Sequence, residues 1–274
     1  MVHSDRAPKK GLGQNFLVSE GTARRIVGSL GTSAGDLVFE IGPGRGALTM
    51  PLAEAGARVV AYEIDGALAK RLEERCAPFS GVEIIHRDIR DTDLDGEAGR
   101  LGYDGYRVIG NIPYHLTSTI LLEVPEWRGS RRTVLMVQRE VGDRILASPG
   151  DRNCGILTVF LRAYTNPGRI LRVPPGSFRP KPKVDSVVLS FTHKEPPVAP
   201  GDRADFLGFI KWSFSERRKM LRNVYRRGRG TIDATSFIER AEKAGLRLDR
   251  RPEELSLGDW IGLYSLFTGC KDQA

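Results

Sequence analysis

The residues best placed to do chemistry together are Asn111, Ile112, Pro113 and Tyr114. They follow the apolar run YRVIG (106–110) and so stand at the carboxyl end of a predicted strand. The exocyclic amine of adenine is a poor nucleophile because its lone pair is delocalised into the ring. An enzyme that alkylates it must draw that lone pair out of the plane, and hydrogen-bond acceptors rather than a strong base do this. The side-chain oxygen of Asn111 and the backbone carbonyl of Ile112, held by the rigid ring of Pro113, would each take one amine hydrogen and aim the lone pair at an electrophile. Tyr114 would stack on a base taken out of its helix. The plain alternative is a strand end that turns into a helix with Thr117 or Ser118 as N-cap. The surrounding motifs weigh against it.

The first of these is EIGPGRGALT (40–49), where Gly42, Gly44 and Gly46 sit between a strand and a helix. Glycines there let the backbone approach a ligand and offer it amide groups. Glu63 ends the next strand, about 20 residues on, where a carboxylate accepts the hydroxyl protons of a ribose. Asp88 follows the third strand and is expected to accept a hydrogen bond from an adenine amine in the same crevice. A nicotinamide cofactor explains Glu63 equally well. It does not explain Glu40 before the first glycine, the acid after the third strand, or the Asn-Ile-Pro-Tyr turn.

Positioning these residues requires a sheet. From Leu37 onward β-rich runs alternate with helical patterns: LVFEI (37–41), RVVAYEI (58–64), VEIIH (82–86), YRVIG (106–110) and TVLMVQ (133–138). Such alternation predicts right-handed βαβ units and a mainly parallel sheet covered on both faces. RILRVP (169–174) and SVVLSF (186–191) flank a proline-rich segment too short for a crossover helix, so these two strands are expected to pair antiparallel. The proline-rich stretch 196–202 reads as a linker. It separates a catalytic domain (1–195) from a small helical domain (203–274).

The helical part carries Arg217, Arg218, Lys219, Arg222, Arg226, Arg227 and Arg229. On one continuous helix Arg218, Arg222 and Arg226 form an i, i+4 stripe, with Glu216 the only nearby acid, which predicts a phosphate-tracking surface rather than a solvated face. The whole chain agrees in sign, with 42 Lys and Arg against 34 Asp and Glu and a formal net charge of +8 over 274 residues. Cys76, Cys154 and Cys270 are far apart and odd in number, so neither a zinc site nor a disulfide frame is expected. The opening MVHSDRAPKK has no apolar run after it, and no stretch approaches the ~18 apolar residues of a membrane span. The expectation is a soluble, cytoplasmic protein.

Over almost its whole length the chain resembles the class I S-adenosylmethionine-dependent methyltransferases, and within them the ribosomal RNA adenine dimethyltransferase family. GQNFL (13–17), EIGPGRGALT, YEID (62–65), RD (87–88), NIPY (111–114), FRPKPKVDS (178–186), FSERRKMLRN (214–223) and RPEELS (251–256) resemble its motifs in their usual order. The last two resemble the branch that modifies small-subunit RNA rather than the resistance branch that modifies large-subunit RNA. Ile112 stands where the first branch often has Leu, but it acts through its backbone.

The resemblance implies a Rossmann-like α/β fold with a mainly parallel seven-stranded sheet, its last strand antiparallel, plus a small C-terminal α-helical domain. It implies S-adenosyl-L-methionine as cofactor, held by Gln14, Asn15, Leu17, Glu40, Gly42, Gly44, Glu63, Asp88, Ile89 and Asn111. Phe178 is implied to face Tyr114 across the target base, although a packed loop aromatic is its simpler reading. The implied substrate is a pair of adjacent adenines in small-subunit (16S) ribosomal RNA, dimethylated by a monomer during ribosome biogenesis. Rival readings are a large-subunit (23S) resistance enzyme, a noncatalytic assembly factor, and a methylase of protein glutamine amides, which shares an Asn-Pro-aromatic motif. The basic helical part and the Phe178 loop favour nucleic acid over the last.

Overall fold

The computed structural model describes residues 15–228 and 233–271. In chain order the elements are β1 (Phe16–Leu17), α1 (Glu20–Leu30), β2 (Leu37–Ile41), α2 (Thr49–Glu54), β3 (Arg58–Glu63), α3 (Gly66–Cys76), β4 (Val82–His86), α4 (Leu94–Arg100), β5 (Tyr106–Asn111) and α5 (Thr117–Glu123). They continue with β6 (Ser130–Gln138), α6 (Arg139–Leu146), α7 (Ile156–Tyr164), β7 (Thr165–Val173), β8 (Phe178–Arg179), β9 (Ser186–His193), α8 (Arg203–Ser213), α9 (Leu221–Tyr225), α10 (Ala234–Lys243) and α11 (Leu257–Lys271).

The chain packs as two compact units, 1–142 with 166–193 and 143–165 with 194–274. The first holds a seven-stranded sheet of order β4-β3-β2-β5-β6-β9-β7, and β1 pairs with β8 in a separate two-stranded ribbon. Strands β2 to β6 pair in parallel and β9 runs antiparallel to β6. All five residues of β2 are buried, as in a central strand covered on both faces. Helix α1 shows how one layer is built. Ser19 caps it by accepting the Thr22 N–H, Gly31 ends it in the left-handed region, and Ala23, Ile26, Val27 and Leu30 form its buried stripe.

Register fixes the working edge. Ile41 lies opposite Tyr62 of β3 on one side and Gly110 of β5 on the other, so the carboxyl ends of the three strands finish almost level. The chain leaves β2 for β3 and β4, then returns to the far side of β2 as β5. That reversal opens the crevice in which open α/β sheets bind ligands.

The second unit is helical, and none of its described residues after Thr165 lies in a strand. Phe209 of α8 is fully buried, with its ring 4.9 Å from Phe267, 6.1 Å from Tyr225 and 6.2 Å from Trp260. The division differs from the expected 1–195, 196–202 and 203–274, because residues 143–165 join the C-terminal helices. Helix α7 explains the difference. It buries Leu157, Thr158, Val159, Phe160, Leu161, Ala163 and Tyr164, almost its whole circumference, so it needs neighbours on every side. Helices α8 and α11 supply them, with the Tyr164 ring 6.4 Å from Phe206.

Candidate functional site

The glycine turn after β2 is the floor of the site. Gly42, Gly44 and Gly46 all have positive φ (63°, 56° and 79°), a region that side chains disfavour. Space is tight as well. A Cβ on Gly44 would lie 3.2 Å from the Phe16 ring, and one on Gly46 would lie 2.5 Å from Leu72 Cδ1. The turn is thus pressed between β1 and α3 while its face toward the crevice stays open.

Glu63, at the end of β3, ties this turn down. Its two carboxylate oxygens accept the backbone N–H of Gly44 at 2.9 Å and of Asp65 at 3.0 Å. The expected ribose contact is therefore not its sole work, but each carboxylate oxygen keeps a lone pair for a hydroxyl. Burial raises its pKa, opposed by those two N–H groups.

Glu40, one residue before the end of β2, is 1% exposed, and its Oε2 has no hydrogen-bond partner among the described residues. Burial pushes its pKa up to about 8, opposed by the adjacent Thr49 and reinforced by the charge of Glu63. A buried acid with an unpartnered oxygen is costly unless a ligand completes it.

On the β4 side, Asp88 opens a short turn by accepting the Arg90 N–H at 3.0 Å, and the Arg90 guanidinium grips its carboxylate at 2.5–3.1 Å. That guanidinium is the main reason its pKa lies below the usual carboxylate range. An adenine amine reaching Asp88 must share it with Arg90, a partner with no signal in the sequence beyond its two-residue spacing.

On the β5 side, the Asn111 Nδ2 donates to the Asn15 carbonyl at 3.2 Å. The bond orients the amide and keeps its oxygen as the acceptor the chemistry requires. The Ile112 N–H donates to the Met136 carbonyl at 3.2 Å, which continues the β5–β6 ladder past Asn111. Tyr114 begins a single 3-10 turn with its hydroxyl 3.1 Å from Ser186 Oγ. Thr117 is not an N-cap. It is the first residue of α5, and its hydroxyl donates back to the Pro113 carbonyl at 3.3 Å.

One cavity brings these groups together: Asn15, Leu17, Glu40, Gly42, Gly44, Glu63, Asp88, Ile89, Asn111, Ile112, Pro113 and Tyr114 all line it. Tyr62, Ile64, Leu68 and Phe16 add apolar walls; Phe16, Tyr62 and Ile64 stand inside the GQNFL and YEID motifs but were given no role there, since apolar residues near a sheet edge read simply as core. Gln14 lies outside the described residues.

Phe178 is a correction. It is 1% exposed, belongs to the hydrophobic core cluster with Leu17, Ile26 and Val173, and does not line the cavity that Tyr114 lines. The pairing of β8 with β1, Leu17 opposite Phe178, turns its ring inward. The arginine stripe is another. The chain between α8 and α9 is a run of turns, so Arg218 lies outside any helix, Arg222 lies on the five-residue α9, and Arg226 caps it. Arg222 is paired with Glu242, and Lys219 and Arg227 with Glu216. Arg217 donates to the carbonyls of Arg152 and Cys154 at 2.9 and 2.8 Å. Arg218 and Arg226 are exposed and have no ion pair among the described residues.

Comparison with known proteins shows the family. The model of the family described as "Ribosomal RNA adenine dimethylase" matches residues 6–261. The chain belongs to that family. It is 40% identical over 257 residues to "Ribosomal RNA small subunit methyltransferase A" of Geobacter metallireducens, covering 93% of this chain and 94% of that one. To the protein of the same name from Acidobacterium capsulatum it is 41% identical over 258 residues, covering 93% and 90%. Among solved structures, a dimethyladenosine transferase from Plasmodium falciparum superposes with a TM-score of 0.80 at 24% identity, over 93% of this chain and 98% of the other. The 23S rRNA methyltransferase ErmE gives 0.68 at 24%, over 93% and 100%. These two establish the class I methyltransferase fold, and the family is one of methyltransferases.

The acid pair yields a test by pH. Between about pH 4.5 and about pH 8 the folded chain keeps the Glu40 proton that the unfolded chain has lost, so unfolding releases a proton and stability falls as pH rises. Glu40→Gln should remove much of this fall, on the order of a few kcal/mol across the window. Denaturant titrations at pH 5 and pH 8.5 check it, the variant gaining on the parent at the higher pH. A parallel pair of pH profiles would mean that Glu40 is ionised in the fold.

Proposed function

We propose that this chain binds S-adenosyl-L-methionine in the crevice at the ends of β2, β3 and β5 and dimethylates the exocyclic amines of adjacent adenines in small-subunit (16S) ribosomal RNA. The observation that carries the reading is the Asn111 amide. It is pinned through its nitrogen to Asn15, with its oxygen left to accept, at the same edge as the glycine turn and two buried acids.

The residues fit the cofactor. The unpartnered Oε2 of Glu40 suits the positively charged methionine end, the glycine turn gives close backbone approach, and Tyr62, Ile64, Leu68 and Ile89 provide apolar cover for a purine. Bound there, the cofactor supplies a methyl group activated on a sulfonium. The chain's own work is then orientation. Asn111 Oδ1 and the Ile112 carbonyl accept the two amine hydrogens, Pro113 keeps them in register, and Tyr114 supports the ring from one face. No side chain need act as a strong base, since the amine becomes acidic only as the new bond forms.

Small-subunit RNA is favoured over large-subunit RNA by the relatives of about 40% identity, which carry the small-subunit name. Arg218 and Arg226 of the helical unit offer uncompensated cations for phosphates, and Arg222 contributes only if its pairing with Glu242 is exchanged for RNA.

Incubation with methyl-labelled cofactor and separated ribosomal subunits, followed by nucleoside analysis, tests the reading. Dimethyladenosine should accumulate on small-subunit particles with monomethyladenosine as an intermediate. Label confined to large-subunit RNA would favour the resistance activity, and no label in either would favour an assembly role.

In equilibrium RNA-binding titrations over a range of salt, Arg218→Glu with Arg226→Glu should weaken RNA binding and flatten its salt dependence, each lost phosphate contact removing roughly 0.7–0.9 from the log–log slope. Cofactor affinity should stay at the parent value. An unchanged salt slope would return both arginines to the role of a solvated surface.

A further inference from the structure

With Phe178 in the core, the segment FRPKPKVDS needs another connection to the Asn-Ile-Pro-Tyr turn. Ser186, its last residue and the first of β9, is 0% exposed, and its Oγ lies 3.1 Å from Tyr114 Oη. The contact joins two segments 72 residues apart. Of the two hydroxyls, the serine is the one on a rigid support. Ser186 stands opposite Gln138 in the β6–β9 ladder. Its neighbour Asp185 is held three ways: its carbonyl accepts the Arg139 N–H at 2.9 Å, and its carboxylate meets Arg172 at 2.6 Å and Arg139 at 3.5 Å.

Tyr114 is the less constrained partner. Its turn is only three residues long, it has no side-chain cap, and its ring is half-buried. Rotation about χ2 of a tyrosine is soft, so nothing local in the turn fixes the ring plane. A hydrogen bond at the far end of the ring, to an atom anchored in the sheet, does fix it. Stacking on a flat base rewards one ring plane, and the entropy of settling on that plane is removed in advance when the ring is already held.

We infer that Ser186 is a positioning residue for methyl transfer: its hydroxyl sets the plane of the Tyr114 ring on which the target adenine lies. The inference rests on the proposed adenine chemistry and gives FRPKPKVDS a role at the site through its serine rather than its phenylalanine. A serine that merely fills space in β9 would make the same strand without any effect on Tyr114.

The experiment compares Ser186→Ala, Tyr114→Phe and the double variant. Each single change deletes the same bond and keeps the tyrosine-derived ring. Each should lower kcat on RNA by roughly tenfold while leaving the RNA KM and the cofactor Kd near the parent values, and the double variant should fall no further. Additive losses, or Ser186→Ala at the parent kcat, would overturn the inference and leave adenine methylation intact as the function.

A second readout needs no RNA. The chain has seven tyrosines, and in ¹³C-tyrosine-labelled protein the Tyr114 signal is the one missing from Tyr114→Phe. It should shift or broaden in Ser186→Ala while the others stay in place. An unmoved Tyr114 signal would refute the latch whatever the RNA assay gives, and a parent protein that methylates no RNA would fault the proposed function separately.

Discussion

Everything at the site depends on the parallel pairing of β2 with β3 and β5 in a register that ends the three strands almost level. Because the side-chain period of a strand is two, a one-residue slip of β3 would turn Glu63 away from the glycine turn, and a slip of β5 would turn Asn111 into the core. Pairing holds Ile41, Tyr62 and Gly110 in one row, and the chain's next residues become Gly42, Glu63 and Asn111. Three segments far apart in sequence thus present a backbone turn, an acid and an amide to one crevice. The apolar residues that hold the register, Val38, Val59, Val60 and Ile109 among them, are all fully buried.

That crevice concentrates groups that the fold would be more stable without. Glu40 and Glu63 are buried 99% and 95% beside one another, one with an oxygen unpartnered among the described residues, and Gly42, Gly44 and Gly46 hold a left-handed backbone. Packing offsets the cost elsewhere, in the sheet core and in the aromatic cluster around Phe209. The arrangement suits a positively charged ligand, which would favour the ionised form of Glu40. Glu63 also transmits position, because the carboxylate that would meet a ribose is the one that holds the Gly44 amide.

Much of this was legible in the sequence. The strands LVFEI and VEIIH begin and end where their apolar-rich runs do; LVFEI is buried on both faces and so reads as one continuous apolar run, while VEIIH is a half-buried edge strand. Glu40, Glu63 and Asn111 were legible for a related reason: packing of the strand does not call for a polar residue at the end of such a run. The burial of Phe178 was not legible because the two-residue pairing of β8 with β1 is too short to leave a period in the sequence. The arginine stripe failed because it assumed one helix where turns intervene between α8 and α9. Ser186 carried no signal at all. A serine at the start of a strand is ordinary, and its meaning comes from a tyrosine 72 residues away. Residues 143–165 were assigned by their place in the chain, whereas the all-round burial of α7 decides where they pack.

The central claim is that Asn111, although it borders the cofactor crevice, acts chiefly on the target amine. Single-turnover methyl transfer by Asn111→Ala, set beside calorimetric cofactor affinity of the same protein, tests it most directly. The acceptor should engage the amine most strongly as positive charge develops on that nitrogen, so the transfer rate should fall by ~100-fold or more while the cofactor Kd moves only a few-fold. A variant that transfers methyl groups at the parent rate, or one whose whole loss is recovered at saturating cofactor, would contradict the account.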